Sequence, residues 1–296
     1  MRNKSEWGHL YKTFTLVIMV IFACQSCAYA GDVEKLFKNG KEIWIDGTTY
    51  DEDIDLTEIL DFKVVKPGVK VANVYSNVVF NNCMFKSFKA SKYDGEYFYQ
   101  VHFHKDLIFN HCAFNGDVDL SYATMYQDFS CLESEFAGKA VFSNVWFKGR
   151  SATFASSHFF QKVKLTNVIF ENKSNFMNVE FAQNVSFNKS VFKGNALLGG
   201  VTYMKYVGFS EVAFNNGATL DKSVFQGKAN FMNTLFVNSA GFSDARFEGD
   251  VTFNKALFLA HTYFAGTQFN GKCDTEQTAF LMEAPAELVN HPELKE

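Results

Sequence analysis

The sequence predicts an all-β solenoid, a chain wound through many short strands around one continuous apolar core. Three observations carry this prediction. Phe occurs 35 times in 296 residues while Pro occurs only 3 times, a composition that suggests one side-chain slot used over and over. Large apolar residues recur in alternating steps of six and five. Two positions before each of them stands a small or β-branched residue.

The beat runs through Phe103, Phe109, Phe114, Leu120, Met125, Cys131, Phe136, Phe142 and Phe147, and after one extra residue resumes at Phe154 and continues to Phe264 and Phe269. Neither a helix nor a simple alternating strand keeps an 11-residue beat for so long, so the period is that of a repeat architecture. In extended backbone, residues i and i−2 face the same way. Ala140, Val185, Ser190, Ala229, Thr234 and Val251 therefore point inward beside their large neighbours. At one place Cys131 takes the large slot and Phe129 the small one, which conserves volume. In the six-residue steps Gly116, Gly138, Gly149, Gly194, Gly227 and Gly249 follow the centre by two, and a positive φ there would accommodate the extra residue at a corner.

Stretches such as Ala229-Asn230-Phe231-Met232-Asn233-Thr234-Leu235-Phe236, and the segment from Ser239 to Phe247, resemble the pentapeptide-repeat family. The resemblance covers about two-thirds of the chain and implies a right-handed quadrilateral parallel β-helix. The six-residue steps depart from a strict five and set the coil at about 22 residues. From Phe103 to Phe269 that makes between seven and eight turns, a rod of roughly 35 Å at ~4.8 Å per coil.

Residues 1–30 read as a signal peptide: Arg2, Lys4 and Lys12, an apolar run from Phe14 to Ala23, and Ala28-Tyr29-Ala30 as the cleavage site. The run is too short to span a bilayer unaided. Ile21-Phe22-Ala23-Cys24 weakly resembles a lipobox, so a membrane enters only through lipidation at Cys24. These features point to a periplasmic or extracellular protein, whose mature form carries 25 basic and 31 acidic residues, a net charge of −6. Residues 31–68 form an N-terminal cap, with Lys41 to Ile45 as a strand and Asp51 to Asp55 as an acidic turn. The solenoid spans 69–273; Lys86 to Gln100 break its register and read as a loop bearing Tyr93, Tyr97 and Tyr99. Residues 274–296 are a helical cap or tail, with a short C-terminal helix over 275–290 that would pack through Phe280, Leu281 and Leu288.

Because the defining residues point inward, function has to lie on the outside. Stacking coils of about 22 residues sorts the outward residue before each centre into columns. One column (His102, Thr124, Trp146, Ile169, Val191, Ala213, Leu235, Leu257) is mostly apolar, and Val237 and Leu259 widen it. The opposite one (Ala113, Glu135, His158, Glu180, Thr202, Val224, Arg246, Gln268) is mostly polar. An apolar stripe must be covered or used. The C-terminal helix, a second copy in a homodimer, and another protein are the three candidates for its cover. The candidate interaction surface is Trp146, Ile169, Val191, Leu235, Val237, Leu257 and Leu259, together with Tyr93, Tyr97 and Tyr99 on the loop.

The near-balanced charge offers no field for nucleic acid. Cys83, Cys112, Cys131 and Cys273 remain after cleavage, in no metal-finger spacing; an oxidising compartment permits disulfides without requiring them. His102 and His104 flank an inward Phe near His111, which reads as surface histidine rather than a metal site. No phosphate loop, dinucleotide motif or nucleophile elbow occurs, and no catalytic residue, metal or cofactor is assigned. The leading reading is an exported, non-enzymatic scaffold acting through protein–protein contacts. The alternative is a β-helix enzyme acting on polysaccharide, which would need clustered carboxylates. The resemblance adds a third reading, imitation of DNA toward gyrase, against which export and a charge of only −6 both stand.

Overall fold

The computed structural model describes residues 30–289. The signal-peptide segment before Ala30, Cys24 within it, and the last seven residues lie outside the described residues. The chain is a parallel β-solenoid with four walls. Phe114 lies beside Phe136, Val118 beside Ala140 and Met125 beside Phe147, the 22-residue coil that the sequence sets. The extra residue after Phe147 is absorbed in one three-residue strand, Ser151–Thr153, so that Trp146 lies beside Ile169. Three of the sequence-marked cysteines, Cys83, Cys112 and Cys131, are buried thiols, and Cys273 is buried as well.

Since equivalent positions superpose, like rings stack. Tyr50, Phe85, Phe114, Phe136, Phe159, Phe181, Tyr203, Phe225, Phe247 and Phe269 form one unbroken column with centroids 4.3–5.6 Å apart. That spacing brackets the ~4.8 Å step of a parallel ladder, so ring stacking and backbone pairing are satisfied together. Each such pair adds roughly 0.5–1.5 kcal/mol to the burial itself.

The small slot does more than save space. Where it holds Ser or Thr, the hydroxyl donates to a carbonyl of the preceding coil: Ser134 to Phe109, Ser190 to Leu165, Ser223 to Leu198 and Thr234 to Phe209, at 2.6–2.8 Å. It also accepts the amide of the residue one coil back, as Ser134 does from Cys112 and Ser190 from Val168. Buried backbone groups that the corner interrupts are thereby paired.

The corners differ from the sequence expectation. None of Gly116, Gly138, Gly149, Gly194, Gly227 and Gly249 has a positive φ. They are small because the coils touch there: a Cβ on Gly138 would stand 2.2 Å from the Gly116 carbonyl carbon, and one on Gly194 2.3 Å from that of Asn172. The left-handed corners lie elsewhere, at every eleventh residue, and most are not glycine. His111, Tyr122, Glu133 and Asn144, then Asn167, Asn178 and Lys189, have φ between 49° and 62°, with Gly200 and Gly266 taking two of the places. Each non-glycine residue there costs roughly 1–2 kcal/mol, which the closed coil imposes.

Both ends also differ in detail. Helix α1 (Ala30–Asn39) covers the first coil and buries Val33 and Phe37. Strand β1 (Ile43–Asp46) runs parallel to β5 (Val78–Asn81), and β2 (Thr49–Asp55) runs parallel to β6 (Met84–Lys89). The solenoid therefore starts within the segment expected to be only a cap, and the acidic run is a strand rather than a turn. Its last residue, Asp55, caps the short helix α2 (Leu56–Ile59) by accepting the Thr57 amide at 2.9 Å.

Lys86 to Gln100 are not a loop. After β6 the chain makes a hairpin of β7 (Ser91–Tyr93) and β8 (Phe98–Phe103). On its other side β8 runs parallel to β4 (Val69–Val74), which pairs antiparallel with β3 (Lys63–Lys66). These four strands make a wing that extends one wall beyond the coil. At the far end Cys273–Asp274 and Ala279–Phe280 continue the ladder, with Phe280 stacked 4.8 Å from Phe258. The expected helix over 275–290 shrinks to α3 (Ala286–Val289), whose Leu288 is buried in the core.

Two substitutions separate the roles of the corners. Gly138→Ala should lower the urea midpoint by roughly 1–3 kcal/mol of stability, whereas Lys222→Gly, at a left-handed corner with φ 60°, should leave it unchanged or raise it. Tyr203→Phe should stabilise by about 1–3 kcal/mol, because the Tyr203 hydroxyl is buried without a protein partner. Circular dichroism during urea titration measures all three.

Candidate interaction surface

The wall that continues from the wing carries the apolar column. Register puts His102, Thr124, Trp146, Ile169, Val191, Ala213, Leu235, Leu257 and Ala279 side by side in successive strands. A second column lies just past the ends of these strands, one step after each inward centre: Tyr126, Lys148, Glu171, Lys193, Asn215, Val237, Leu259 and Leu281, whose amides bond the preceding coil. Val237 and Leu259 therefore lie directly beside Leu235 and Leu257. The polar column Ala113, Glu135, His158, Glu180, Thr202, Val224, Arg246 and Gln268 occupies the opposite wall in the same manner.

The two columns divide the wall into two chemistries. Toward the C-terminal end it is aliphatic, with Val237 39%, Leu257 38% and Leu281 68% exposed. Helix α3 does not cover it, since Leu288 turns into the core at the end of the rod. Toward the N-terminal end it is aromatic and charged. Tyr75, His104 and Tyr126 stack in sequence at 4.5 and 4.6 Å. The Lys148 ammonium lies 4.5 Å from the Tyr126 ring and 3.8 Å from that of Trp146. Trp146 Nε1 donates to Glu171 at 2.7 Å, and Lys193 pairs with the same carboxylate at 3.0 Å. The Lys193 hydrogen bond, more than that of Trp146, holds the Glu171 carboxyl below its usual range.

The three tyrosines of the hairpin are drawn into the wing rather than left loose. Tyr93 stacks on Phe98 at 4.4 Å and donates to the Gly95 carbonyl. Tyr97 and Tyr99 frame Lys70, whose ammonium is 4.3 Å and 4.9 Å from their rings and bonds the Tyr99 hydroxyl. Asp94 accepts the Tyr97 and Glu96 amides and the Tyr99 hydroxyl, and the two amides bring its pKa down to about 2. The wing and the apolar column share one continuous sheet. The sequence reading placed both groups, but missed that they are joined. It also missed the Tyr75–His104–Tyr126 stack, which sorting the residue after each centre would have shown for His104 and Tyr126.

The family model for pentapeptide repeats matches residues 220–268, in nine copies. Residues 220–268 are thus pentapeptide repeats within the solenoid. Among solved structures it is similar to HetL, a pentapeptide repeat protein involved in heterocyst differentiation regulation from the cyanobacterium Nostoc sp. strain PCC 7120, at 11% identity. The match covers 88% of this chain and 99% of that one, with a TM-score of 0.33. No curated protein matches the sequence. Among the described residues, no helix is long and apolar enough to cross a membrane, and no three His, Cys, Asp or Glu side chains converge as a metal site.

His102 and His104 should make this wall sensitive to pH. Burial lowers both below 6.5, helped at His102 by the charges of His104 and Lys148. Their neutral forms thus favour the folded state, so this contribution is complete above about pH 6.5 and is lost as pH falls through the lowered folded values. Thermal melting from pH 8 to 5 should show this decline, and a His102→Gln/His104→Gln variant should flatten it.

Proposed function

We propose that this chain is an exported, non-enzymatic scaffold that engages another protein, a second copy or a different chain, through the wall bearing Trp146, Ile169, Val191, Leu235, Val237, Leu257 and Leu259. One observation carries the reading. Among the described residues the aliphatic end of this wall stays exposed although a helix lies at each end of the rod, and Val33 and Phe37 of the first and Leu288 of the last are buried in the core instead. A flat row of aliphatic side chains rimmed by Lys193, Glu171 and Asn215 is a surface of the kind that proteins use for one another. Export rests on the signal-peptide pattern of residues 1–30.

Photo-crosslinking in cells tests this directly. A photoreactive residue at position 257 should give discrete protein adducts, and the same residue at position 246 on the opposite wall should give none. Leu235→Glu, read through a crosslinker at 257, should abolish the adducts. Equal labelling at both positions, or at neither, would overturn the reading. Products released from a polysaccharide panel by the purified protein would overturn its non-enzymatic part.

A further inference from the structure

We propose that strand β3 is a docking edge for an extended segment of another protein that has an apolar centre and acidic flanks. This surface is separate from the apolar column and does not depend on it. Among the described residues β3 ends the long sheet and pairs on one side only, with β4. All four of its residues are exposed, including Val64 at 57% and Val65 at 59%. An edge strand offers a row of backbone donors and acceptors that another strand can complete, and here the two valines supply apolar contact on the added strand.

Charge decides which occupant fits. Lys63 and Lys66 bracket the valines, and Lys70 lies opposite Val64 on the next strand. None of these three lysines has an ion-pair partner among the described residues. Of the nearby carboxylates, Glu58 is engaged by Lys92 and Asp94 by two amides and the Tyr99 hydroxyl. A second copy pairing antiparallel through β3 would set Lys63 against Lys66, and like charges directly opposite destabilise a ladder. A strand with Asp or Glu at those places gains two cross-strand pairs instead. The lysines thus reject self-pairing and select an acidic partner.

Fluorescence anisotropy of the full chain with a labelled peptide, Glu-Glu-Val-Thr-Val-Glu-Glu, provides the test. We expect saturable binding that drops about tenfold in Lys63→Glu/Lys66→Glu. That variant should instead bind the peptide flanked by Lys, and its unchanged circular dichroism would show that it folds. The peptide with N-methylated backbone amides should not bind, since it cannot extend a ladder. The Leu235→Glu/Leu257→Glu variant should bind as the wild type does, which separates this edge from the apolar column. Failure of the acidic peptide to bind, equal binding of the N-methylated peptide, or indifference to the charge reversal would each overturn the proposal.

Discussion

A parallel ladder fixes the distance between successive coils at about 4.8 Å, and most of this molecule follows from that spacing. Side chains at equivalent positions must pack against copies of themselves, so the interior favours groups whose shape stacks at that distance. Phe does so, and the stack from Tyr50 to Phe269 passes from end to end of the rod without a break. The same constraint acts on the backbone. Where two coils touch, as at Gly116, Gly138 and Gly227, Gly249, there is no room for a Cβ. Where the chain must turn sharply, the coil forces the left-handed conformation on whatever residue stands there.

This explains what the sequence revealed. The inward slots are written in residue size, and size can be read directly, which is why the coil length and the columns of the outer walls were legible. A left-handed corner is written in backbone angle, and Lys189 or Glu211 at such a corner looks like any surface residue. Glycine drew attention to the wrong corners for the same reason, since its lack of a Cβ serves close approach as readily as positive φ. The tail was misread although Phe280 stands eleven residues past Phe269; a pattern with Leu281 and Leu288 also suits a helix, and the ladder outcompetes it wherever a coil is present to pair with.

The wing is where the repeat constraint is relaxed. Val74 and Phe103 lie side by side on neighbouring strands, so the coil between them is longer than the regular one, and the added residues form β7 and the outer half of β8. There β4 and β8 are six residues long instead of two, so their outer parts have no inward slot to fill. Freed from the core, these positions hold Tyr93, Tyr97, Tyr99, Lys70 and Lys92, chemistry that the inner coil excludes. The candidate residues on the hairpin could be named from the sequence because they break the beat, but their mutual arrangement depends on Lys70 of β4, a strand of which the beat marks only Val69 and Val74.

Because the wing and the aliphatic end of the column belong to one sheet, their separation is set by the number of coils between them. A solenoid transmits position rigidly along its axis: each coil is fixed by backbone pairing on four walls and by ring stacking inside. Inserting or removing one 22-residue coil would move the two surfaces by about 4.8 Å without altering either one. A scaffold built this way can hold two contacts at a defined spacing while its outer residues vary freely, since the core that keeps the spacing uses none of them.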